Sequence, residues 1–156
     1  LGTRDASAYA AFSEVVRYLE WLGAEVSPGG APRQLIEAAA AAIRGQEQDL
    51  VDAMMWGTGG LLGLGQLDAV TVVGPDNSEH RSGMISFMID GIDGPSAVDS
   101  LNTDGVRTHA RKADYYSAGV LGPLGIESCV RVSASHYNSR AEVEQFLATV
   151  NRLARA

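Results

Sequence analysis

The fold of this protein is decided by one stretch, residues 129–142, which reads CVRVSASHYNSRAE. Its first half alternates apolar and polar residues with a period of two, which predicts a strand over residues 129–135. Its second half places Glu142 three residues after Ser139, a capping-box pattern that predicts the first turn of a helix. Apolar residues then continue at helical spacing. We therefore expect a strand that leads directly into an amphipathic helix.

Two further helices are predicted in the first third of the chain. Apolar residues at helical spacing predict a helix over residues 9–22, capped by Asp5 or Ser7 and ended by Gly23. A second helix, rich in alanine, is predicted from about residue 32 to residue 55.

The middle of the chain changes to a pattern typical of short strands. Strands are predicted over residues 67–73 and 84–89, a short helix from residue 91, a brief strand at Val106, and an irregular loop over residues 108–117. The resulting order, α-α-β-β-α-β-β-α, predicts an α+β fold in which long helices precede a small, mostly antiparallel sheet with helices on one face.

Composition limits the classes of function. The 156 residues are 46% hydrophobic and 20% charged with a net charge of −7, which is typical of one globular domain and argues against a nucleic-acid binder. The apolar stretches are too short to span a bilayer, so we expect no membrane partner. The single cysteine cannot form an internal disulfide, which favours a cytoplasmic location. Because the chain begins with Leu1, we expect it to be a piece of a longer protein.

Several candidate sites are weak. The glycine-rich residues 57–65 follow a helix and precede a strand, the reverse of a phosphate-binding loop, so they predict a helix end and a connection. The three histidines lie far apart without other ligands at metal-binding spacing, so no metal site is expected. Lys112, the single lysine, lies in the predicted loop, where an exposed amine is a poor partner for a carbonyl cofactor.

Arg131 is the strongest candidate for binding. It lies in the middle of a predicted strand between Val130 and Val132, and a guanidinium at least partly covered there must be paired. The partner could be an internal acid or the carboxylate of a substrate, and the residues alone leave both open. Arg107 is a second candidate because it begins the long predicted loop. Cys129 is interpreted as a small buried residue.

Several segments together resemble the C-terminal part of class V aminotransferases, in the cysteine-desulfurase-like branch of the fold type I pyridoxal-phosphate enzymes. The segments follow the family order over nearly the whole chain, and the last one is the most specific. They are Leu1-Gly2-Thr3, residues 18–23, residues 85–87, residues 104–107, Tyr116-Ser117 with Leu124-Gly125, and residues 130–139.

The resemblance implies roles for three residues. Thr3 would contact the phosphate of pyridoxal 5'-phosphate in the neighbouring subunit of a homodimer. Arg131 would hold the α-carboxylate of an amino-acid substrate, and Arg107 would lie in the same pocket. Residues 1–30 would end the large domain and its connecting helix, and residues 31–156 would form the C-terminal small domain. No catalytic residue is expected in this chain, because the family's Schiff-base lysine belongs to an upstream large domain.

One departure from the family bears on the reaction. In cysteine desulfurases the loop after the residue that Arg107 resembles carries a nucleophilic cysteine, and residues 108–117 contain none. The resemblance therefore implies a pyridoxal-phosphate-dependent carbon–sulfur lyase acting on cysteine or a cysteine-derived substrate. A pyridoxal-phosphate-dependent epimerase, a non-catalytic module for oligomerisation or partner binding, and an amino-acid-sensing domain remain as alternatives.

Overall fold

The computed structural model describes residues 5–155, and over them it contains five α-helices and four strands. In chain order they are α1 (Ala6–Val26), α2 (Pro32–Trp56), β1 (Val70–Val73), β2 (Met84–Ile89), α3 (Gly94–Thr103), β3 (His109–Lys112), α4 (Ala118–Leu121), β4 (Ser128–Ser133) and α5 (Arg140–Leu153). Short 3-10 turns lie at Leu64–Gln66 and Ser78–His80.

The four strands form one sheet in the order β1-β2-β4-β3, and every neighbouring pair is antiparallel. In the central pair, Ile85 lies opposite Val132 and Phe87 lies opposite Val130. The last strand in sequence therefore inserts between β2 and β3. This arrangement confirms the predicted α+β fold with a mostly antiparallel sheet.

One face of the sheet carries the hydrophobic core. Alternate residues of β2 and β4 point into it and are almost completely buried, and they pack with apolar residues from the second half of α2, from α3 and from α5. Phe87 meets Phe146 of α5 edge to face, with 5.8 Å between the ring centroids. An edge-to-face aromatic pair in a closed core stabilises the packing beyond its buried area. Ser86 of β2 and Arg131 of β4 alternate with these buried residues, so they lie on the opposite face.

The start of α5 confirms the predicted capping box. Ser139 is the N-cap, and its hydroxyl accepts from the backbone N–H of Glu142, while the Glu142 carboxylate accepts from the backbone N–H of Ser139. Two backbone donors that have no partner within the helix are satisfied in this way.

The first part of the chain, up to Gly45, forms its own compact unit, separate from the unit that starts at Gln46. Asp5 caps α1 as predicted, but the expected end of the helix at Gly23 is wrong, because α1 continues to Val26. Gly23 is buried, and a Cβ there would lie 1.9 Å from the carbonyl oxygen of Leu35. The glycine therefore serves close contact with the start of α2. The assignment of residues 1–30 and 31–156 to two enzyme domains stays a prediction.

The segment after α3 differs from the prediction. No strand begins at Val106, and residues 109–112, expected in an irregular loop, form β3. Arg111 and Lys112 have no strong preference for strands, but the backbone of β3 pairs with β4 along its free edge. Non-local pairing has overridden local propensity here. The glycines at 57–65 do end a helix and connect it onward: Gly57, with φ +91°, follows α2 directly.

Candidate functional site

Arg131 lies on the face of the sheet that is turned away from the hydrophobic core. Its neighbours Val130 and Val132 are buried among core residues, and alternation along the strand places Arg131 on the other side. On that face it lies between two strands, directly opposite Ser86 of β2 and His109 of β3. The sheet therefore places Arg131 on the outer face of one of its two central strands.

The guanidinium of Arg131 has a buried nitrogen without a partner. Its Nε is shielded from solvent, and no described protein atom accepts a hydrogen bond from it. The only other such side-chain atom among the described residues is Oγ1 of Thr108. A buried donor that is left unpaired costs about 1–3 kcal/mol. No described acid pairs with Arg131, so its guanidinium is available to an acceptor from outside the described residues.

A cavity of about 390 Å³ opens beside this guanidinium. Strands β2, β3 and β4 form one side of it, and the segment that leads into and through α4 contributes the remaining lining residues. The lining residues are Met84, Ser86, Arg111, Tyr116, Ser117, Val120, Leu121, Cys129 and Arg131. Two of them are cationic and none is acidic, although the protein carries a net charge of −7. The charged side chains that line this cavity are therefore all cationic.

The second cation, Arg111, was not among the predicted site residues. It lies on β3 directly opposite Cys129, and so it shares the cavity face with Arg131. From the sequence, Arg111 was expected in an irregular loop, where the direction of a side chain cannot be predicted. Had β3 been recognised as a strand, its alternation would have placed Arg111 and His109 on one face.

Cys129 is almost completely buried, as predicted, but it lines this cavity and is absent from the main hydrophobic core. Burial raises the pKa of its thiol, against a smaller opposing effect of the nearby Arg111 charge. A thiol with a raised pKa stays protonated at neutral pH and is a weak nucleophile.

Arg107 is the other predicted site residue among those described, and it does not line this cavity; Lys112, which was not expected to take part, does not line it either. Arg107 is exposed in the segment just before β3 and is not among the lining residues of the cavity. Lys112 lines a different pocket of about 410 Å³, where Asp93, Asp114 and Glu127 also lie. Thr3 falls outside the described residues. The structure therefore does not bring Arg107 or Lys112 together with Arg131.

Residues 5–155 contain no group of three or more histidine, cysteine, aspartate or glutamate side chains placed to hold a metal ion. None of the helices described there combines the length and the apolar character needed to cross a membrane.

The sequence profile of the aminotransferase class-V family matches residues 34–146, and the chain belongs to this family. This finding confirms the resemblance drawn from the sequence.

Two relatives with similar sequences are both cysteine desulfurases or probable ones. The chain is 28% identical over 151 residues to the probable cysteine desulfurase 2 of Mycobacterium leprae, covering 97% of this chain and 30% of that protein. It is 26% identical over 90 residues to the cysteine desulfurase of Synechococcus elongatus, covering 58% of this chain and 14% of that protein. The chain thus spans less than a third of the length of these relatives.

A solved structure agrees with the sequence relatives. The apo structure of the cysteine desulfurase from Thermococcus onnurineus superposes with a TM-score of 0.66 at 26% identity, covering 80% of this chain and 29% of that chain. The matched part is again a minor share of a longer chain. The protein is therefore a segment similar to cysteine desulfurases in both sequence and fold.

Proposed function

We propose that this chain is the C-terminal segment of a pyridoxal-phosphate-dependent carbon–sulfur lyase, acting on cysteine or a cysteine-derived amino acid, and that Arg131 binds the substrate α-carboxylate. The observation that carries this proposal is the buried Nε of Arg131, which has no protein acceptor and adjoins a cavity without acidic residues. A planar guanidinium and a carboxylate can form two parallel hydrogen bonds. Family membership and the desulfurase relatives support the reaction class.

Arg131 would act by orienting the substrate. It projects from the centre of the sheet, where β2 and β3 flank its strand on both sides, so its backbone is rigidly held. A carboxylate fixed there limits the rotation of the substrate and presents its α-carbon in one direction. When bound, the cofactor would supply an electron sink for the charge that develops at that carbon.

The described residues fit the substrate carboxylate better than the cofactor. The cofactor aldehyde needs a lysine, and the one lysine of the sequence, Lys112, does not line the Arg131 cavity. We therefore propose that this lysine lies in an upstream large domain. We also propose, from the family resemblance, a homodimer in which Thr3 contacts the cofactor phosphate of the neighbouring subunit, and a cytoplasmic location. Arg107 does not line the cavity within this chain, so we propose that it contributes to the substrate site only in the assembled protein.

The position and burial of the single cysteine favour a lyase over persulfide transfer by a mobile thiol. Residues 108–117 contain no cysteine, and part of that segment is held in β3. The one thiol near Arg131, that of Cys129, is buried and has a raised pKa. A lyase needs no protein thiol to accept sulfur, because the sulfur leaves with its substituent.

The test is the kinetics of Arg131 variants in the natural protein that carries this chain. Arg131→Ala should raise KM for L-cysteine roughly 10- to 100-fold and lower kcat, because a charge-assisted pair contributes about 1.5–3 kcal/mol. Arg131→Lys should also be impaired, since a point charge cannot replace the planar fork. Arg44→Ala, an exposed arginine on α2, is the matched control and should leave both constants unchanged. Wild-type kinetics in Arg131→Ala would rule out the carboxylate role.

A second experiment distinguishes the proposed lyase from the binding module, the amino-acid sensor and the epimerase. Borohydride reduction of the natural protein, followed by peptide mapping, should locate a pyridoxyl group on a lysine outside these 156 residues. A label on Lys112 would contradict the proposed site. An absent label would favour the binding module, or the amino-acid sensor if L-cysteine still binds in a direct titration. Racemisation of the substrate without loss of sulfur would favour the epimerase.

A further inference from the structure

The cavity beside Arg131 carries more positive charge than one carboxylate needs. Arg111 and Arg131 both line it, no acidic side chain does, and neither arginine forms an ion pair with any described residue. Three other arginines of the described chain, Arg17, Arg33 and Arg152, do form such pairs. Two guanidinium groups on one partly desolvated surface repel each other unless anions lie between them.

The register sets how far apart the two cations lie. His109 is directly opposite Arg131, and Arg111 is two residues further along β3, so the two arginines are diagonal neighbours on one face. Diagonal neighbours in an antiparallel pair have Cα atoms about 7–8 Å apart. Long side chains starting from such positions can hold two separate acidic groups of one small molecule.

The remaining lining residues suit the uncharged part of a ligand, between its two acidic groups. Met84, Val120 and Leu121 provide apolar contact, while Ser86 and Ser117 provide hydroxyl groups. The volume of about 390 Å³ lies within the range of small-molecule sites, about 300–1,000 Å³. The cavity therefore has room for an amino acid together with a side-chain substituent.

We infer that Arg111 is a specificity-determining residue, and that the substrate is a cysteine-derived amino acid whose sulfur substituent ends in an anionic group. The inference rests on the proposed function, in which Arg131 takes the α-carboxylate. Arg111 then receives the second anion. Plain cysteine, with a single carboxylate and no charged substituent, leaves Arg111 without a partner.

The test compares two non-reactive ligands that differ by one charge. Succinate has two carboxylates, and succinamate replaces one of them by an amide of nearly the same shape. Neither has an amine, so neither is turned over by the holoenzyme. Isothermal titration calorimetry of the natural holoenzyme should show succinate binding at least tenfold more tightly than succinamate, since a hydrogen-bonded ion pair is replaced by a neutral contact.

Variants of β3 assign this preference to one residue. Arg111→Gln should remove the preference for succinate and leave the affinity for succinamate within about twofold. Lys112→Gln removes the same charge from the next residue of β3, which lines the other pocket, and should keep the preference. Equal wild-type affinity for the two ligands, or a preference that survives in Arg111→Gln, overturns the inference.

A third variant separates this failure from a failure of the proposed function. Arg131→Gln should weaken both ligands at least tenfold, because the first carboxylate loses its partner. If Arg131→Gln weakens both while Arg111→Gln keeps the preference, the carboxylate role of Arg131 stands and the role of Arg111 does not. If Arg131→Gln binds both ligands like the wild type, the proposed function itself is contradicted.

Discussion

Replacing Arg131 by methionine should make this region more stable while destroying ligand binding. The guanidinium keeps a buried Nε without an acceptor, and it shares its face of the sheet with Arg111, which forms no ion pair with a described residue. Methionine has an unbranched stem of similar length and no hydrogen-bond donor. The variant therefore removes an unsatisfied donor and a like-charge repulsion, and it keeps the packing of the stem.

The size of the gain follows from the burial of that nitrogen. An unsatisfied buried donor costs about 1–3 kcal/mol, and because the rest of Arg131 is only partly buried we take the lower end, about 1 kcal/mol. A gain of about 1 kcal/mol lowers the equilibrium population of the locally opened state roughly fivefold. A residue whose loss stabilises the fold but removes binding is kept for function.

Hydrogen–deuterium exchange of the ligand-free natural protein measures this gain locally. Peptides from β2 and β4 should exchange about fivefold more slowly in Arg131→Met than in the wild type. Arg44→Met, an exposed control on α2, should change exchange by less than twofold. Faster exchange of β4 in Arg131→Met would refute the reasoning, because it would show that the guanidinium stabilises the fold through a protein partner.

Three further predictions concern stability. Phe146→Ala should lower the free energy of unfolding by about 3–5 kcal/mol, since this buried ring packs edge to face on Phe87; urea unfolding measures it, and a loss below about 1 kcal/mol would contradict the packing. Ser139→Ala should cost about 1 kcal/mol through the lost cap of α5, and Ser139→Asp should restore most of it in the same assay. Hydrogen bonds from Thr149, and then from Arg152, lower the pKa of the Asp104 carboxyl, so their stabilisation is present above about pH 5 and lost as the pH falls below about 4. Thr149→Val should therefore destabilise the protein at pH 7 more than at pH 3, and an equal effect at both would show that the carboxylate charge is not involved.

Local sequence patterns were sufficient to predict the elements whose stabilising interactions or periodicity lie within a few neighbouring residues. The start of α5 depends on Ser139 and Glu142, three residues apart, and both hydrogen bonds of the capping box close within one turn. Alternation over 129–135 likewise predicted β4 and placed Arg131 on the face opposite Val130 and Val132. These features involve interactions between near neighbours, which a sequence states directly.

Local sequence patterns did not predict the structure of the region after α3. Residues 109–112 have no strong strand pattern, and they form β3 only because the free edge of β4 offers hydrogen-bond partners. The end of α1 was also mispredicted, since Gly23 is required by the carbonyl oxygen of Leu35 twelve residues later. Both outcomes depend on contacts between segments that are distant in sequence.

The sequence by itself thus determined the α+β class, the family resemblance, and the choice of Arg131 as a candidate for binding, because each rests on periodicity or on short contiguous motifs. Only the tertiary structure decided that Arg111 joins Arg131 in one cavity while Arg107 stays exposed outside it. The physical reason is strand registry: pairing Arg111 with Cys129 fixes which face its side chain occupies, and that pairing arises from hydrogen bonds between two strands that no local pattern in β3 encodes.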